Sequence, residues 1–377
     1  MSWDPDRPFN DLPLLPPAHE LETRAVLKRT IAARAALASL EQASRSLPNP
    51  AVLVNSIQLL EAQASSEIEN IVTTSDELFR FAHDEETASD PATREALRYR
   101  RALFEGFALV SRRAVTARTA ADVCSIIKQH DMTIRDRPGT FIGDPVTGQR
   151  AYTPPVGRST ITGLLSNWED FIHQYGDLDP LVAMSAAHYQ FEAIHPFEDG
   201  NGRTGRVMNV LILVEHGLLS LPILYLSRYI IRNKSEYYRL LLAVTAEEAW
   251  EEWLLFMLEG IRETSLWTLA TIDGISALQE QVRAAMRGAL SGGANADLLE
   301  ALFEEPYCRI RTVMERCRVS RPTATSWLSA LADRGVLIDV RAGRERLFVN
   351  RAFLRLLQQD HGPDSGSPTR GEEPVLF

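Results

Sequence analysis

The chain has 377 residues, a formal net charge of −10 and a sequence pI of about 5.4, a balance that argues against binding nucleic acid or a membrane surface over its whole length. No apolar run approaches the ~18 residues a spanning helix needs, and the polar, proline-rich residues 1–17 hold no secretory apolar segment. The three cysteines, Cys124, Cys308 and Cys317, have neither zinc-ligand spacing nor an even count, so reduced thiols in a cytoplasmic protein without a membrane partner are expected.

Two or three domains are expected from the length. Residues 1–17 read as an extended lead-in and residues 20–47 as a long helix. Asn49 as a cap and Pro50 at the first helical position open a second helix over 49–71, with Val52, Leu53, Ile57, Leu60, Ala64 and Ile68 on its apolar face. Near its end Ser65 and Glu69 stand four apart on one side, followed by Asn70. A short helix over 76–87 precedes a polar break at Ser89, Asp90 and Pro91. In residues 137–155 Gly and Pro punctuate short β-compatible runs, which predicts a hairpin ending in the extended pair Pro154 and Pro155.

Residues 180–194 form the next predicted helix, capped by Asp179 and ended by Pro196, which biases His195 out of the helical region. The segment from His195 to Arg206 then concentrates chemistry. His195, with an ordinary pKa of about 6.5, is a natural general base. Glu198 to Gly202 reads as a tight turn, and helical spacing resumes at Arg203 through Val207, Val210, Leu211 and Val214, so the turn is also a helix N-terminus that attracts anions. Gly200 and Gly202 let the backbone turn its N–H groups toward phosphate oxygens, and Asn201 adds a neutral donor. Arg203 and Arg206, three apart, offer two guanidinium forks suited to a di- or triphosphate. Asp199 is a hard oxygen ligand suited to magnesium shared with substrate phosphates.

Residues 195–206 match, at every specified position, the signature His-x-Phe-x-Asp/Glu-Gly-Asn-Gly-Arg-x-x-Arg of the Fic family, which this chain resembles. The resemblance implies transfer of AMP from ATP to a Tyr, Thr or Ser hydroxyl of a target protein or of the enzyme itself. It makes His195 the catalytic base, Asp199 the ligand of Mg²⁺, and Glu198, Gly200, Asn201, Gly202, Arg203 and Arg206 the nucleotide-binding loop, with Phe197 as its apolar plug. Arg203 would steady the leaving pyrophosphate and Arg206 would reach the γ-phosphate. Relatives with altered loops transfer UMP or other groups, and the unaltered Gly-Asn-Gly-Arg turn favours AMP. Ser65, Glu69 and Asn70 resemble the family's inhibitory motif, in which the glutamate pairs with the second arginine, here Arg206, and takes the place of the γ-phosphate. The predicted hairpin resembles the family's flap, where Thr147, Gly148, Arg150 and Tyr152 would hold the target polypeptide by strand addition. Tyr237 or Tyr238 would line the adenine, the competing reading being a core aromatic pair.

Residues 227–288 are predicted helical, and Ser291, Gly292, Gly293, Ala294 and Asn295 form the expected domain boundary. Beyond it, helices over 297–304, 309–316 and 321–334 and two strands around Arg341, Ala342 and Gly343 resemble a winged-helix domain. The expected layout is therefore a mainly α, Fic-type helical bundle: an N-terminal helical region 1–90, a catalytic core 91–290 with the flap, a winged helix 296–356, and a disordered tail 361–377. Residues 307–351 carry ten Arg against four acidic residues, a net +6 that leaves −16 elsewhere. Two readings follow: an adenylyltransferase whose winged helix serves homodimerisation, docking or regulation, and a DNA-binding regulator with a sensory or vestigial Fic part.

Overall fold

In the computed structural model, which describes residues 3–47, 49–82, 85–143, 149–290, 295–342 and 345–359, helix α1 spans Arg24–Ser46. It opens later than the apolar spacing predicts because Thr23 caps it, its hydroxyl accepting from the Val26 N–H at 3.3 Å. Helix α2 covers Ala51–Ile68. Asn49 does act at its start, its side-chain oxygen accepting from the Ala51 N–H at 3.0 Å. The helix stops at Ile68, short of the expected 71, because Asn70 adopts a left-handed φ of 63°, a conformation asparagine tolerates and helices use to stop. The single helix expected over 76–87 is instead α3 (Ser75–Phe81) and a separate 3₁₀ turn (Glu85–Thr87).

Helix α4 (Pro91–Val110) is capped by Asp90 and α5 (Ala117–Lys128) by a Thr116/Thr119 capping box. Strands β1 (Ile142–Gly143) and β2 (Arg150–Tyr152) pair antiparallel, followed by α6 (Arg158–His173), α7 (Pro180–Ile194), α8 (Asn201–Glu215), α9 (Leu226–Arg232), α10 (Lys234–Glu247) and α11 (Trp250–Ala289). α7 begins where the sequence places it, with Asp179 accepting from the Leu181 N–H at 2.9 Å. α8 lies at the centre of this part: α7, α4, α5 and α2 all pack on it, and α2 is wedged between α4 and α9. Its apolar residues Val207, Val210 and Leu211 are fully enclosed, so the loop before it is anchored to a tightly packed element of the core.

The remaining elements are α12 (Ala296–Glu304), β3 (Tyr307–Arg309), α13 (Ile310–Cys317), α14 (Arg321–Asp333), β4 (Ile338–Ala342), β5 (Glu345–Val349) and α15 (Arg351–Gln358). The three strands form an antiparallel sheet in the order β3-β5-β4, with Tyr307 opposite Val349 and Val340 opposite Leu347. Leu298, Phe303, Val313, Leu328, Phe348 and Phe353 fill the core beside it, with the Phe303 and Phe353 rings 5.2 Å apart.

Contacts divide the chain into two units, 1–266 and 267–377. The division falls inside α11 and not at the predicted glycine-serine boundary, of which 291–294 lie outside the described residues. The second half of α11 belongs with the later unit because its glycines allow close approach: a Cβ on Gly274 would strike the Leu356 side chain at 2.6 Å, and one on Gly288 the Arg334 guanidinium at 2.7 Å. The tail expected over 361–377 also lies outside the described residues. The fold class is mainly α with small antiparallel sheets, and among the described residues no helix is long and apolar enough to cross a membrane.

Candidate active site

α7 ends because His195 takes left-handed angles, φ 49° and ψ 61°. The sequence argument expects Pro196 to push it into the extended region. The structure resolves the conflict differently, through Arg135, whose Nε donates to the His195 carbonyl at 2.7 Å and whose Nη2 donates to Pro155 O at 2.5 Å and Ile194 O at 3.2 Å. Its own N–H donates to Pro196 O at 2.9 Å. A buried guanidinium thus satisfies the orphan carbonyls of the helix end and offsets the roughly 1–2 kcal/mol that a left-handed non-glycine residue costs. Sequence reading missed Arg135, which has no local pattern to mark it.

The His195 ring borders a cavity of about 750 Å³. Burial, and then the charge of Arg135, push its pKa down to about 4, against weaker opposition from Glu69 and Asp199. The imidazole is therefore neutral at physiological pH, the state a proton acceptor requires. Phe197 is buried with its ring 6.3 Å from that of Phe191, outside the cavity wall, which fits the plug and not a nucleotide contact. Asn201 donates through its amide to Phe197 O and accepts from the Phe197 N–H, both at 2.8 Å. It closes the loop on itself and borders the cavity. Gly200, at φ 82°, precedes the first residue of α8 and makes no side-chain cap, and Gly200, Asn201 and Gly202 border the cavity, so the helix N-terminus opens there.

The two arginines have separate surroundings. Arg203 is buried outside the cavity wall, ion-paired to Glu95, with Asp199 at 3.6 Å and Glu69 at 3.7 Å. Arg206 borders the cavity. Its Nε donates to the Ser65 hydroxyl at 2.8 Å, and its Nη2 donates to Ser65 O and to Glu69 Oε1, both at 2.9 Å. Burial works to lower the Arg206 pKa, but Glu69, then Tyr237 and Glu192, outweigh it and raise the value. The Glu69 carboxylate lies so close over the start of α8 that a Cβ on Gly202 would collide with its Oε1. Asn70 borders the same cavity and accepts from Lys234 Nζ at 2.9 Å.

Asp199 is 58% exposed, with Lys128 Nζ 2.5 Å from its Oδ2 and the Gly200 N–H donating to its Oδ1 at 2.5 Å. Burial alone would raise its pKa, but Lys128, then Arg203, lower it. Lys128 and Glu95 escaped the sequence reading, since both come from other helices. Among the described residues no cluster of three or more His, Cys, Asp or Glu side chains is arranged to hold a metal.

Further along the cavity Glu198 is exposed, and Tyr237 and Tyr238 both contribute to the wall. Tyr237 is also core: buried, its hydroxyl is 2.9 Å from His188 Nε2 and its ring packs 5.7 Å from Trp253. Tyr238 is 43% exposed. Glu192, unremarkable in the sequence, borders the cavity with its pKa pushed up to about 7 by burial, despite Arg206. Its Oε1 is enclosed against Gly205, where a Cβ would crowd it at 2.5 Å.

The predicted flap is the β1/β2 pair, with Phe141, Ile142 and Gly143 on the cavity wall. Thr147 and Gly148 lie outside the described residues. The Arg150 guanidinium stacks 5.2 Å from the Phe141 ring centre and donates to Asp6 O at 3.3 Å. Tyr152, expected to hold a target, is buried, and its hydroxyl donates to Ala193 O at 2.9 Å. It ties the flap to the end of α7 because its side chain faces the core side of a three-residue strand.

Comparison with known proteins gives a consistent picture. The description "Fic/DOC family N-terminal" matches residues 27–108, "Fic/DOC family" residues 121–213, and "Protein adenylyltransferase SoFic-like, C-terminal domain" residues 278–353. The chain is 36% identical over 77 residues to a probable protein adenylyltransferase of Aquifex aeolicus, covering 20% of this chain and 23% of that protein. It is 32% identical over 134 residues to a protein adenylyltransferase of Caenorhabditis elegans, covering 30% and 25%. It thus spans about a quarter of the length of these curated relatives. A crystal structure of a Fic family protein from Desulfovibrio desulfuricans superposes with a TM-score of 0.54 at 19% identity, over 88% of this chain and 98% of that one. One from Bacteroides thetaiotaomicron gives 0.50 at 17%, over 65% and 97%. At those identities the likeness is one of fold.

Proposed function

The chain belongs to the Fic/DOC family, and from that premise we propose that it is a protein adenylyltransferase, moving AMP from ATP to a Tyr, Thr or Ser hydroxyl of a target protein or of itself, with Glu69 holding it off. The observation that carries this reading is the grip of Arg206 on Ser65 and Glu69 at the N-terminus of α8. A cavity built for anions is filled by the protein's own carboxylate. In the reaction the neutral imidazole of His195 takes the hydroxyl proton, the freed oxygen bonds to the α-phosphorus, and the bond from that phosphorus to the bridging oxygen of the β-phosphate breaks, releasing pyrophosphate. Arg206 holds the γ-phosphate end once Glu69 withdraws, while Arg203 steadies the loop through Glu95. The backbone N–H groups at the start of α8 face the phosphates.

Mg²⁺ fits the donor set once Lys128 gives way, since Asp199 is an exposed carboxylate at the cavity and this ion needs only one or two carboxylates when phosphates supply the rest. Bound there, it would neutralise charge on the phosphates. The element order of 296–356 agrees with the winged-helix reading. Arg311, Arg316 and Arg346 are tied to Glu315, Glu304 and Asp339, which commits three of its arginines to pairs within the segment.

The test incubates the full chain with labelled ATP and Mg²⁺. A charge-assisted bond of this kind is worth about 1.5–3 kcal/mol, so Glu69→Gly is expected to raise self-labelling roughly 10- to 100-fold, and His195→Ala in that background to abolish it. No gain in Glu69→Gly at saturating ATP would dismiss the brake. Labelling from UTP in preference to ATP would change the nucleotide, and sequence-specific gel shifts without any labelling would favour the DNA-binding alternative.

A further inference from the structure

On the reading that Asp199 holds the divalent cation, we propose that Lys128 is the resident counter-ion of that carboxylate, an internal ammonium that the metal must displace toward Glu95 in order to bind. The geometry is specific. Lys128 is the last residue of α5, its side chain is 19% exposed, and its Nζ stands 2.5 Å from Asp199 Oδ2 and 3.5 Å from Glu95 Oε1. Its stem is not a free surface arm: a Cβ on Gly200 would lie 3.3 Å from Lys128 Cδ and 3.2 Å from Cys124 Sγ. The signature turn therefore rests on this lysine, and only glycine allows the approach.

The ammonium occupies the oxygen that a metal would use. Two cations cannot share one carboxylate oxygen at about 2–2.5 Å without strong repulsion. Displacement is nonetheless easy, because Glu95 already faces the ammonium and is itself held by Arg203. A short swing leaves Lys128 paired and Asp199 open. The arrangement keeps Asp199 neutralised while the cavity holds no phosphate, and ties metal entry to a ligand that brings its own negative charge. Lys128 acts through Asp199 and is thus a positioning residue, so its test reads the metal directly.

Binding of Mn²⁺ alone to the full-length chain, without nucleotide, is measured from the free-ion electron paramagnetic resonance signal. Lys128→Met is expected to tighten Mn²⁺ binding about tenfold, the effect of removing one nearby like charge from a partly solvated site. Lys128→Arg, which keeps the charge, should bind as wild type, and Asp199→Asn should lose the site. Lys128→Gln serves as a second neutral variant, and thermal unfolding of each confirms the folded state. Unchanged or weaker binding in both neutral variants overturns the displacement proposal. Wild-type binding in Asp199→Asn overturns the metal assignment beneath it, a result distinct from the first.

Discussion

Both α7 and α2 stop on a left-handed non-glycine residue at the wall of one cavity, His195 at φ 49° and Asn70 at φ 63°, but they are fastened by different means. The end of α7 is sealed by Arg135, a buried side chain from 60 residues upstream that takes three carbonyls. The end of α2 closes on its own backbone, with the N–H groups of Asn70 and Ile71 donating to Glu67 O and Ser66 O at 2.9 and 3.0 Å. Its tertiary polar ties among the described residues include the Ser65 and Glu69 bonds to Arg206, the approach of Glu69 to Arg203 at 3.7 Å and one exposed bond from Lys234. On the proposed function, long-range capping would fix the base to the core, whereas a local turn would let the Glu69 carboxylate leave without disturbing that base.

That contrast can be broken most directly at Arg135. Arg135→Met frees the buried carbonyls of His195 and Ile194 and lets the imidazole drift; misplacement of about 1 Å costs on the order of 10²-fold. Self-labelling in the Glu69→Gly background is expected to fall about 100-fold while ATP affinity by calorimetry stays within about 2-fold. A parallel loss of ATP binding would mean that Arg135 supports the whole cavity and not the base alone.

A smaller effect separates the two ends by pH. His195, with its pKa held near 4, stays unprotonated as pH falls through 6, so labelling at saturating ATP should persist to about pH 5, where an ordinary histidine would be almost fully protonated. Glu192, near 7, is protonated below that pH and ionised above it, adding negative charge beside Arg206. KM for ATP should therefore rise several-fold from pH 6 to pH 8 and become flat in Glu192→Gln. An acid limb in kcat near 6.5 would place His195 in a far wetter site than the structure gives it.

The smallest change sharpens the view of the α2 end. Lys234→Ala removes the single exposed bond to Asn70, worth about 0.5–1 kcal/mol, and should raise basal labelling about 2- to 4-fold, with no further gain when combined with Glu69→Gly. Additive gains in the double variant would show that Lys234 acts elsewhere than through the brake.

Much of this was legible from residues alone. The cap at Asp179, the helix stop before Pro196, the turn after Glu198, which ends at Gly200 because α8 opens at Asn201 and not at Arg203, and the spacing of Ser65 and Glu69 at the end of α2 all rest on local rules of spacing, proline and glycine. The structure places these features beside one another, and it brings Arg206 onto Ser65 and Glu69. The local rules do not give a side chain's tertiary partners. Asn201 is bonded to its own loop and Tyr152 ties the flap to the end of α7, while both residues border the cavity, and Arg203 is ion-paired to Glu95.

By itself the sequence determined most of the helical elements and the residue chemistry of the loop, because helix period, capping and backbone freedom act over a few positions. The choice of Ser65 and Glu69 as the loop's partners came from the resemblance to the Fic family. Tertiary structure alone decided that Arg135 seals the base, that Lys128 and Glu95 flank Asp199, and that Glu192 is pushed up to about 7. Those assignments depend on burial and on charges meeting across distant helices, and desolvation and Coulomb attraction follow distance in space, for which separation along the chain gives no measure.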